Sequence, residues 1–257
     1  MDNIKKTDVF IYPDAQSLFN ACAKDFASCA ARAIAEKNNF TVVLSGGNTP
    51  KQFYSILVEQ YVKRIEWNKI YFFFGDERYV PMDNQENNYH MTETSLFSKL
   101  PVNREQIFRI NTDFPTAEQS ARAYQNTLRE VMQLKPHAFP VFDLVYLGLG
   151  DDAHTASLFP ESDLVRAYAQ QNNSDEDTLV AGYYVKKINM DRITLTPPAI
   201  NHGKNIHFII EGENKAHAVQ AVLQGNYQPE LYPAQLIKSL TGTTSWYLDN
   251  AAAKNIS

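Results

Sequence analysis

Cysteine and long hydrophobic runs are both scarce in this sequence. Only two of its 257 residues are cysteine, which excludes a disulfide-rich scaffold. Cys22 and Cys29 lie two turns apart in a predicted helix, roughly 10 Å and too far for a disulfide, so we expect buried free thiols. No apolar stretch is long enough to cross a bilayer, and residues 1–10 lack the apolar core of a secretion signal. These absences favour a cytoplasmic protein with no membrane segment.

The sequence also lacks an excess of basic residues. Lys and Arg together number 24 against 29 Asp and Glu, which gives a formal net charge of −5. Nucleic-acid and anionic-membrane binders normally need a basic face, so we expect neither partner, although a local pocket for a small phosphate stays possible. The chain has no HExxH or CxxC motif and no GxSxG elbow. We therefore predict no metal, no organic cofactor and no serine-hydrolase triad.

Apolar runs alternate with amphipathic helical segments along the chain. The strand-like runs are residues 41–44, 70–74, 142–147, 179–185, 192–196, 206–210 and 245–248. The helical segments are residues 14–38, 50–62, 116–134 and 214–223. This alternation predicts a three-layer α/β/α fold with a mainly parallel, Rossmann-like sheet, formed by residues 1–257 as one domain. Polar residues 170–177 indicate a surface loop, and ligands are expected beyond the carboxyl ends of the strands.

The first candidate site follows the strand at residues 41–44 and opens a helix. Its glycines allow close backbone approach to a ligand, and Pro50 suits the first helical position. Free N–H groups and the helix dipole favour an anion there, typically a phosphate. An ordinary capped strand-to-helix turn is the alternative interpretation. The candidate phosphate-binding residues are Ser45, Gly46, Gly47, Asn48 and Thr49.

Three ionisable residues follow the apolar strand at residues 70–74. Burying Asp76, Glu77 and Arg78 would be unfavourable unless they are paired or used. Arg78 is a candidate to stabilise an oxyanion or to hold a substrate oxygen. An ion-pair cluster at a strand end is the structural alternative. The polar loop at residues 79–88 is long enough to form one wall of a cleft.

The segment that follows the strand at residues 142–147 contains His154 among glycines, acids and hydroxyls. Histidine titrates near neutrality and can act as a general base. Asp151 and Asp152 are placed to orient it. A surface histidine in an acidic turn is the alternative, but the position after a buried strand favours a function.

Two cations complete the set of candidates. Lys215 stands at the predicted start of a helix, where a cation opposes the helix dipole, and this suggests that it meets an anion. Arg192 stands at the start of a predicted strand, a place where arginines often have only a structural role.

Five sequence blocks in register carry a family resemblance. The blocks are LSGGNTPKQFY (44–54), GDERYVP (75–81), LGLGDDAHTASLFP (147–160), RITLT (192–196) and ENKAHAV (213–219). Together they resemble the 6-phosphogluconolactonase family, in the broader group that includes glucosamine-6-phosphate isomerase/deaminase. GDER and HTASLFP favour the lactonase branch. The isomerase branch typically has a ring-opening glutamate where Leu158-Phe159-Pro160 stands here.

The resemblance implies hydrolysis of 6-phospho-D-glucono-1,5-lactone to 6-phospho-D-gluconate, the second step of the oxidative pentose phosphate pathway. The implied enzyme needs no metal or cofactor and is a monomer or small homo-oligomer. In this hypothesis His154 is the general base and later the acid, Asp152 positions it, and Arg78 stabilises charge on the lactone oxygens. The phosphate would lie on the loop at residues 45–49. The other residues expected to hold the phosphate or to shape the site are Arg192, Lys215, Asp76 and Asn88.

The chain departs from the family pattern beside the histidine. Asp151 and Ala153 stand where the family usually has a proline and a glycine. If the glycine position requires a positive φ, Ala153 is strained by roughly 1 kcal/mol or more. Two alternatives stay open, and this departure supports only the second. One is an amino-sugar-phosphate isomerase that uses Asp76 as its carboxylate, and the other is a sugar-phosphate sensor that has lost catalysis.

Overall fold

A computed structural model describes residues 7–170 and 177–256, and in these ranges ten strands form two sheets. The strands are β1 Thr7–Tyr12, β2 Phe40–Leu44, β3 Ile70–Phe74, β4 Asp76–Arg78, β5 Ile107–Phe108, β6 Leu144–Leu147, β7 Val180–Val185, β8 Met190–Leu195, β9 Asn205–Ile210 and β10 Thr243–Asp249. The main sheet has the order β1-β10-β9-β6-β2-β3-β5, and its neighbouring strands are parallel.

Helices flank this sheet. In the described ranges they are α1 Ala15–Lys37, α2 Asn48–Tyr61, α3 Asn88–Ser95, α4 Ala117–Val131, α5 Asp163–Ala169, α6 Pro197–Asn201 and α7 Ala216–Gln224. The Asp14 carboxylate accepts the Ser17 N–H at 2.7 Å and caps the start of α1, which occupies the helical segment predicted at residues 14–38. Asn38, with a left-handed φ of 61°, ends that helix. None of the described helices is long and apolar enough to cross a membrane.

The central strands are buried on both faces. Phe72, Phe73 and Phe74 of β3 and the whole of β6 are buried. Burial on both faces is what continuous apolar runs predict for a parallel sheet covered by helices. The predicted α/β fold with a mainly parallel sheet is therefore confirmed. Cys22 and Cys29 are buried free thiols in α1, as expected.

The second sheet is small and antiparallel, with the order β4-β8-β7. The sequence predicted β7 and β8 as strands but assigned them to the parallel sheet, and it read β4 as a loop; both assignments were wrong. Only a short turn at residues 186–189 joins β7 to β8, and such a turn permits only an antiparallel pair. Gly182 of β7 lies so close to Ala117 of α4 that a Cβ would come within 2.2 Å of its carbonyl oxygen.

The order of the main sheet creates a crevice between β2 and β6. From β2 the chain runs through β3 to β5 on one side, whereas β6, β9 and β10 extend the sheet on the other. The loops that leave β2 and β6 therefore diverge at their carboxyl ends, which is where open α/β sheets bind ligands. Ser45 begins one of these loops and Gly148 begins the other.

Candidate active site

A cleft of about 530 Å³ lies at the carboxyl ends of β2, β6 and β9. The structure brings most of the predicted site residues into its wall, and only Asp152 and Arg192 are not among the lining residues. Those that line it are Ser45, Gly46, Gly47, Asn48, Thr49, Asp76, Arg78, Asn88, His154 and Lys215.

The loop after β2 presents the start of α2 to this cleft. Gly47 has a φ of 103°, a conformation that favours glycine, and its place before α2 leaves the first helical N–H groups without a side-chain cap. Tyr54 donates its hydroxyl to the Ser45 carbonyl at 2.8 Å and holds the loop down. A Cβ on Gly46 would lie 1.8 Å from the Asn88 Oδ1 atom, so only glycine fits. This rigid, positively polarised turn suits a phosphate.

Buried polar side chains, joined by hydrogen bonds, form the wall beside that loop. The Asp76 carboxylate accepts the Ser157 hydroxyl at 2.6 Å on one oxygen and the Asn88 amide at 3.2 Å on the other. The Asn88 amide also donates to the Asp76 carbonyl at 3.0 Å. Asp76 therefore serves to fix Asn88 against Gly46. Sequence reasoning missed Ser157, although it lies in the HTASLFP block, because no local pattern shows that it meets Asp76.

Glu77 is fully buried, and its carboxylate binds backbone N–H groups of β4 and of the start of α3. Its carboxylate accepts the backbone N–H groups of Arg78 at 2.8 Å, Asn88 at 2.7 Å and Tyr89 at 3.0 Å. Burial raises the pKa of Glu77 to about 7, although these three hydrogen bonds oppose the rise. The sequence flagged Glu77 only as unfavourable to bury, and the structure shows that it anchors Arg78 and Asn88, which flank the cleft.

Arg78 projects from β4 into the cleft wall. Its Nη1 donates to the Glu86 carbonyl at 2.8 Å, which fixes the guanidinium. Its Nε is buried and has no hydrogen-bond partner among the described residues. A fixed guanidinium with an unused donor can bind an oxygen atom that carries developing charge.

His154 and Asp152 form a close pair. The His154 Nδ1 lies 2.6 Å from Asp152 Oδ1, which also accepts the His154 backbone N–H at 3.1 Å. Burial alone would raise the pKa of Asp152, but hydrogen bonds from His154 and Lys187 outweigh it and hold the pKa well below its usual range. An ionised carboxylate only accepts, so Nδ1 bears the proton, and in the neutral imidazole the lone pair then lies on Nε2. The Phe159 ring stacks on the imidazole, with centroids 4.3 Å apart.

The backbone around this pair is tightly constrained. A Cβ on Gly150 would lie 2.1 Å from the His154 Nδ1 atom, so the imidazole occupies space that only glycine leaves open. Ala153 has a φ of 63°, in the left-handed region. This is the position where the family usually has glycine, and its backbone does have a positive φ. In this chain a buried alanine adopts that conformation.

Arg192 is not among the residues that line the cleft. Its expected contact with the phosphate, beside Lys215, stays a prediction. Arg192 of β8 pairs in register with Arg78 of β4, and its guanidinium packs over the Phe159 ring at 5.8 Å. Its Nε and Nη1 atoms are buried without a partner in the described ranges. Arg192 therefore contacts, from β8 of the small sheet, the same ring that stacks on His154.

Lys215 lines the cleft from the opposite side. It ends the short 3₁₀ turn Glu213–Lys215, directly before α7 and three residues after Gly212, whose φ is 94°. Only this turn separates β9 from α7, so the lysine lies near the carboxyl end of the sheet. Across residues 7–170 and 177–256, no three His, Cys, Asp or Glu side chains are grouped so that they could hold a metal ion.

Comparison with known proteins identifies the family. A profile of the family described as glucosamine-6-phosphate isomerases/6-phosphogluconolactonase matches residues 13–246. A Synechocystis protein named 6-phosphogluconolactonase is 36% identical over 225 residues, 88% of each chain, and a Nostoc protein of that name is 34% identical over 99% of this chain and 100% of its own. The solved 6-phosphogluconolactonase of Trypanosoma brucei superposes with a TM-score of 0.85 at 27% identity, over 98% of this chain and 100% of that one. The chain therefore belongs to the glucosamine-6-phosphate isomerase/6-phosphogluconolactonase family.

Proposed function

We propose that this protein hydrolyses 6-phospho-D-glucono-1,5-lactone to 6-phospho-D-gluconate, the second step of the oxidative pentose phosphate pathway. One observation carries the proposal: His154, which is paired with Asp152, lines the same cleft as an uncapped helix N-terminus. That arrangement matches a substrate with a phosphate at one end and a reactive carbonyl at the other. The names of the relatives with 36% and 34% identity support the same reaction.

His154 acts first as the general base. Its Nε2 accepts a proton from a water molecule as the water oxygen attacks the lactone carbonyl carbon. The carbonyl π electrons move onto the oxygen, and a tetrahedral intermediate forms. The Asp152 carboxylate stabilises the imidazolium that results, because it lies 2.6 Å from Nδ1.

Arg78 and His154 complete the reaction. The Arg78 guanidinium, fixed by the Glu86 carbonyl, stabilises the negative charge on the former carbonyl oxygen. When the intermediate collapses, the bond between the carbonyl carbon and the ring oxygen breaks. The His154 imidazolium returns its proton to that oxygen, which leaves as the sugar hydroxyl. No step requires a metal or an organic cofactor.

The phosphate fixes the lactone over the histidine. The loop at residues 45–49 supplies backbone N–H groups and the positive end of α2, and Lys215 supplies a cation across the cleft. Binding energy from this remote group orients the carbonyl for attack.

The isomerase alternative needs a carboxylate that moves protons between carbon atoms. Asp76 was the candidate, but both of its carboxylate oxygens accept hydrogen bonds, from Ser157 and from Asn88. Phe159, which stands in the segment where the isomerase branch has its glutamate, stacks on His154. These contacts favour the lactonase.

Proton release from freshly prepared lactone at neutral pH tests the proposal, with spontaneous hydrolysis subtracted. The wild type should accelerate release, and His154→Ala should lose about 10²- to 10⁴-fold. His137→Ala is the matched control, since His137 is exposed and pairs with Asp177 away from the cleft. A wild type that releases no protons but consumes glucosamine 6-phosphate would be an isomerase. One that only binds 6-phosphogluconate, with or without His154, would be a sensor.

A further inference from the structure

Lys187, a residue of the small antiparallel sheet's hairpin, contacts the Asp152 carboxylate. We propose that Lys187 is a positioning residue, which holds Asp152 so that His154 keeps Nδ1 protonated and Nε2 turned toward the substrate. Only the expected effect on kcat rests on the proposed function, because the contact between Lys187 and Asp152 is independent of the substrate.

The Asp152 carboxylate divides its two oxygens between two partners. Oδ1 accepts from the His154 ring and backbone, and Oδ2 accepts from the Lys187 Nζ atom. With one oxygen tied to Lys187, the carboxylate plane cannot rotate about its Cβ–Cγ bond without breaking an ion pair. The Oδ1 atom therefore stays aimed at Nδ1. His154 and Asp152 are 30% and 20% exposed, whereas Lys187 is 52% exposed, so the lysine screens the outer side of the pair.

The hairpin holds Lys187 in place. The residue lies in the 3₁₀ turn Lys186–Ile188 between β7 and β8, and Asn189 closes the turn with a φ of 51°. The Tyr184 hydroxyl donates to the Asn189 side chain across the turn. Because β8 pairs with β4, the sheet that places Lys187 behind the histidine also places Arg78 in the cleft.

An ion pair whose lysine is half exposed contributes little to folding stability, so its consequence should be sought in the reaction. The Lys187 ammonium brings a positive charge to one oxygen of Asp152, and the imidazole lies on the other oxygen. The other charged side chains and histidines around the pair, in the cleft, beside Phe159 and in the groove behind the loop, are Asp76, Arg78, Asp151, Arg192, Glu211, Lys215, His217 and Asp249. None of these would change in a Lys187 variant.

The experiment compares Lys187→Met, Lys187→Arg and Lys186→Met. Lys186 is in the same turn and its loss changes the net charge equally, so it controls for long-range electrostatics. We expect Lys187→Met to lower kcat about tenfold with little change in KM. The acid limb of its pH–rate profile should move to higher pH by about half a unit. Lys187→Arg should restore most of kcat, and Lys186→Met should match the wild type.

A second readout does not depend on turnover. The His154 Nδ1 proton, hydrogen-bonded to Asp152, should give a downfield NMR resonance that shifts or broadens in Lys187→Met but not in Lys186→Met. Equal kinetics and spectra in the two methionine variants would overturn the proposal. So would a raised KM with an unmoved acid limb, which would make Lys187 a substrate contact. If the wild type has no lactonase activity, the proposed function fails, and the NMR comparison still decides the role of Lys187.

Discussion

Substituting Gly150 by alanine should disable the site without altering any of its chemical groups. The new Cβ would stand 2.1 Å from the His154 Nδ1, 2.4 Å from its Cε1 and 2.6 Å from the Asp152 Oδ1. Ordinary contacts between such atoms are about 3.5 Å or longer, so the imidazole must retreat by more than an ångström. The φ of Gly150 is not left-handed, so the backbone itself accepts alanine.

The expected loss of rate and of stability follows from breaking the hydrogen bond between His154 and Asp152. A misplacement of about 1 Å at a catalytic group lowers the rate by about 10²-fold, and complete loss of the base lowers it by up to about 10⁴-fold. The protein should remain folded. The broken hydrogen bond is worth about 1.5–3 kcal/mol, and the reduced freedom of the unfolded chain returns about 0.4–1 kcal/mol. The free energy of unfolding should therefore fall by about 0.5–2.6 kcal/mol.

Proton release from the lactone and urea denaturation, measured on the same samples, check this prediction. Gly75→Ala is the matched control, because its Cβ would meet Val43 at an ordinary 3.4 Å and the residue is outside the cleft lining. A displaced base lowers kcat, whereas a methyl group that blocks the cleft raises KM. A Gly150→Ala variant with a rate within threefold of the wild type would refute the steric reasoning, as would one that fails to fold.

Two further predictions concern pH and the phosphate. Burial lowers the pKa of His207 to about 4, so the wild type should lose about 3 kcal/mol of stability as the pH falls from about 6.5 to 4, and His207→Asn should not. Glu77, whose raised pKa gives stability that is lost as the pH rises through about 7, affects both proteins equally. Denaturation at several pH values measures the difference, and identical slopes would contradict it. Lys215→Met should raise the KM for the lactone at least tenfold through loss of a charged phosphate contact, with a smaller change in kcat. Initial rates at varied lactone concentration measure both constants. An unchanged KM would count against the phosphate site.

The sequence predicted the main sheet well because each of its central strands is an apolar run. β2, β3, β6 and β9 are buried on both faces, so burial leaves a continuous signal in the residues themselves. The glycine loop and His154 were found because each directly follows such a run. For these two segments, the place in the sequence therefore predicts the place at the carboxyl edge of the sheet.

The small sheet left no comparable signal. β4 has only three residues, all charged, and its strand character depends on pairing with β8, more than a hundred residues later. The orientation of Arg192 depends on the register of that pairing, which no local pattern records. Lys187 escaped notice for the same reason, since its partner Asp152 is distant in sequence and the turn between β7 and β8 is unremarkable by composition. The edge strand β1 was missed because its residues are mostly exposed.

The two sheets divide the work of the proposed enzyme between them. In the proposed reaction, loops of the parallel sheet would hold the phosphate, through the start of α2 and Lys215, whereas the antiparallel sheet carries Arg78 and Lys187. Substitutions in the β7–β8 hairpin should therefore change the rate of hydrolysis while phosphate binding stays intact. The same division would let a lineage retain affinity for phosphorylated sugars while it acquires new reactions at the other end of the cleft.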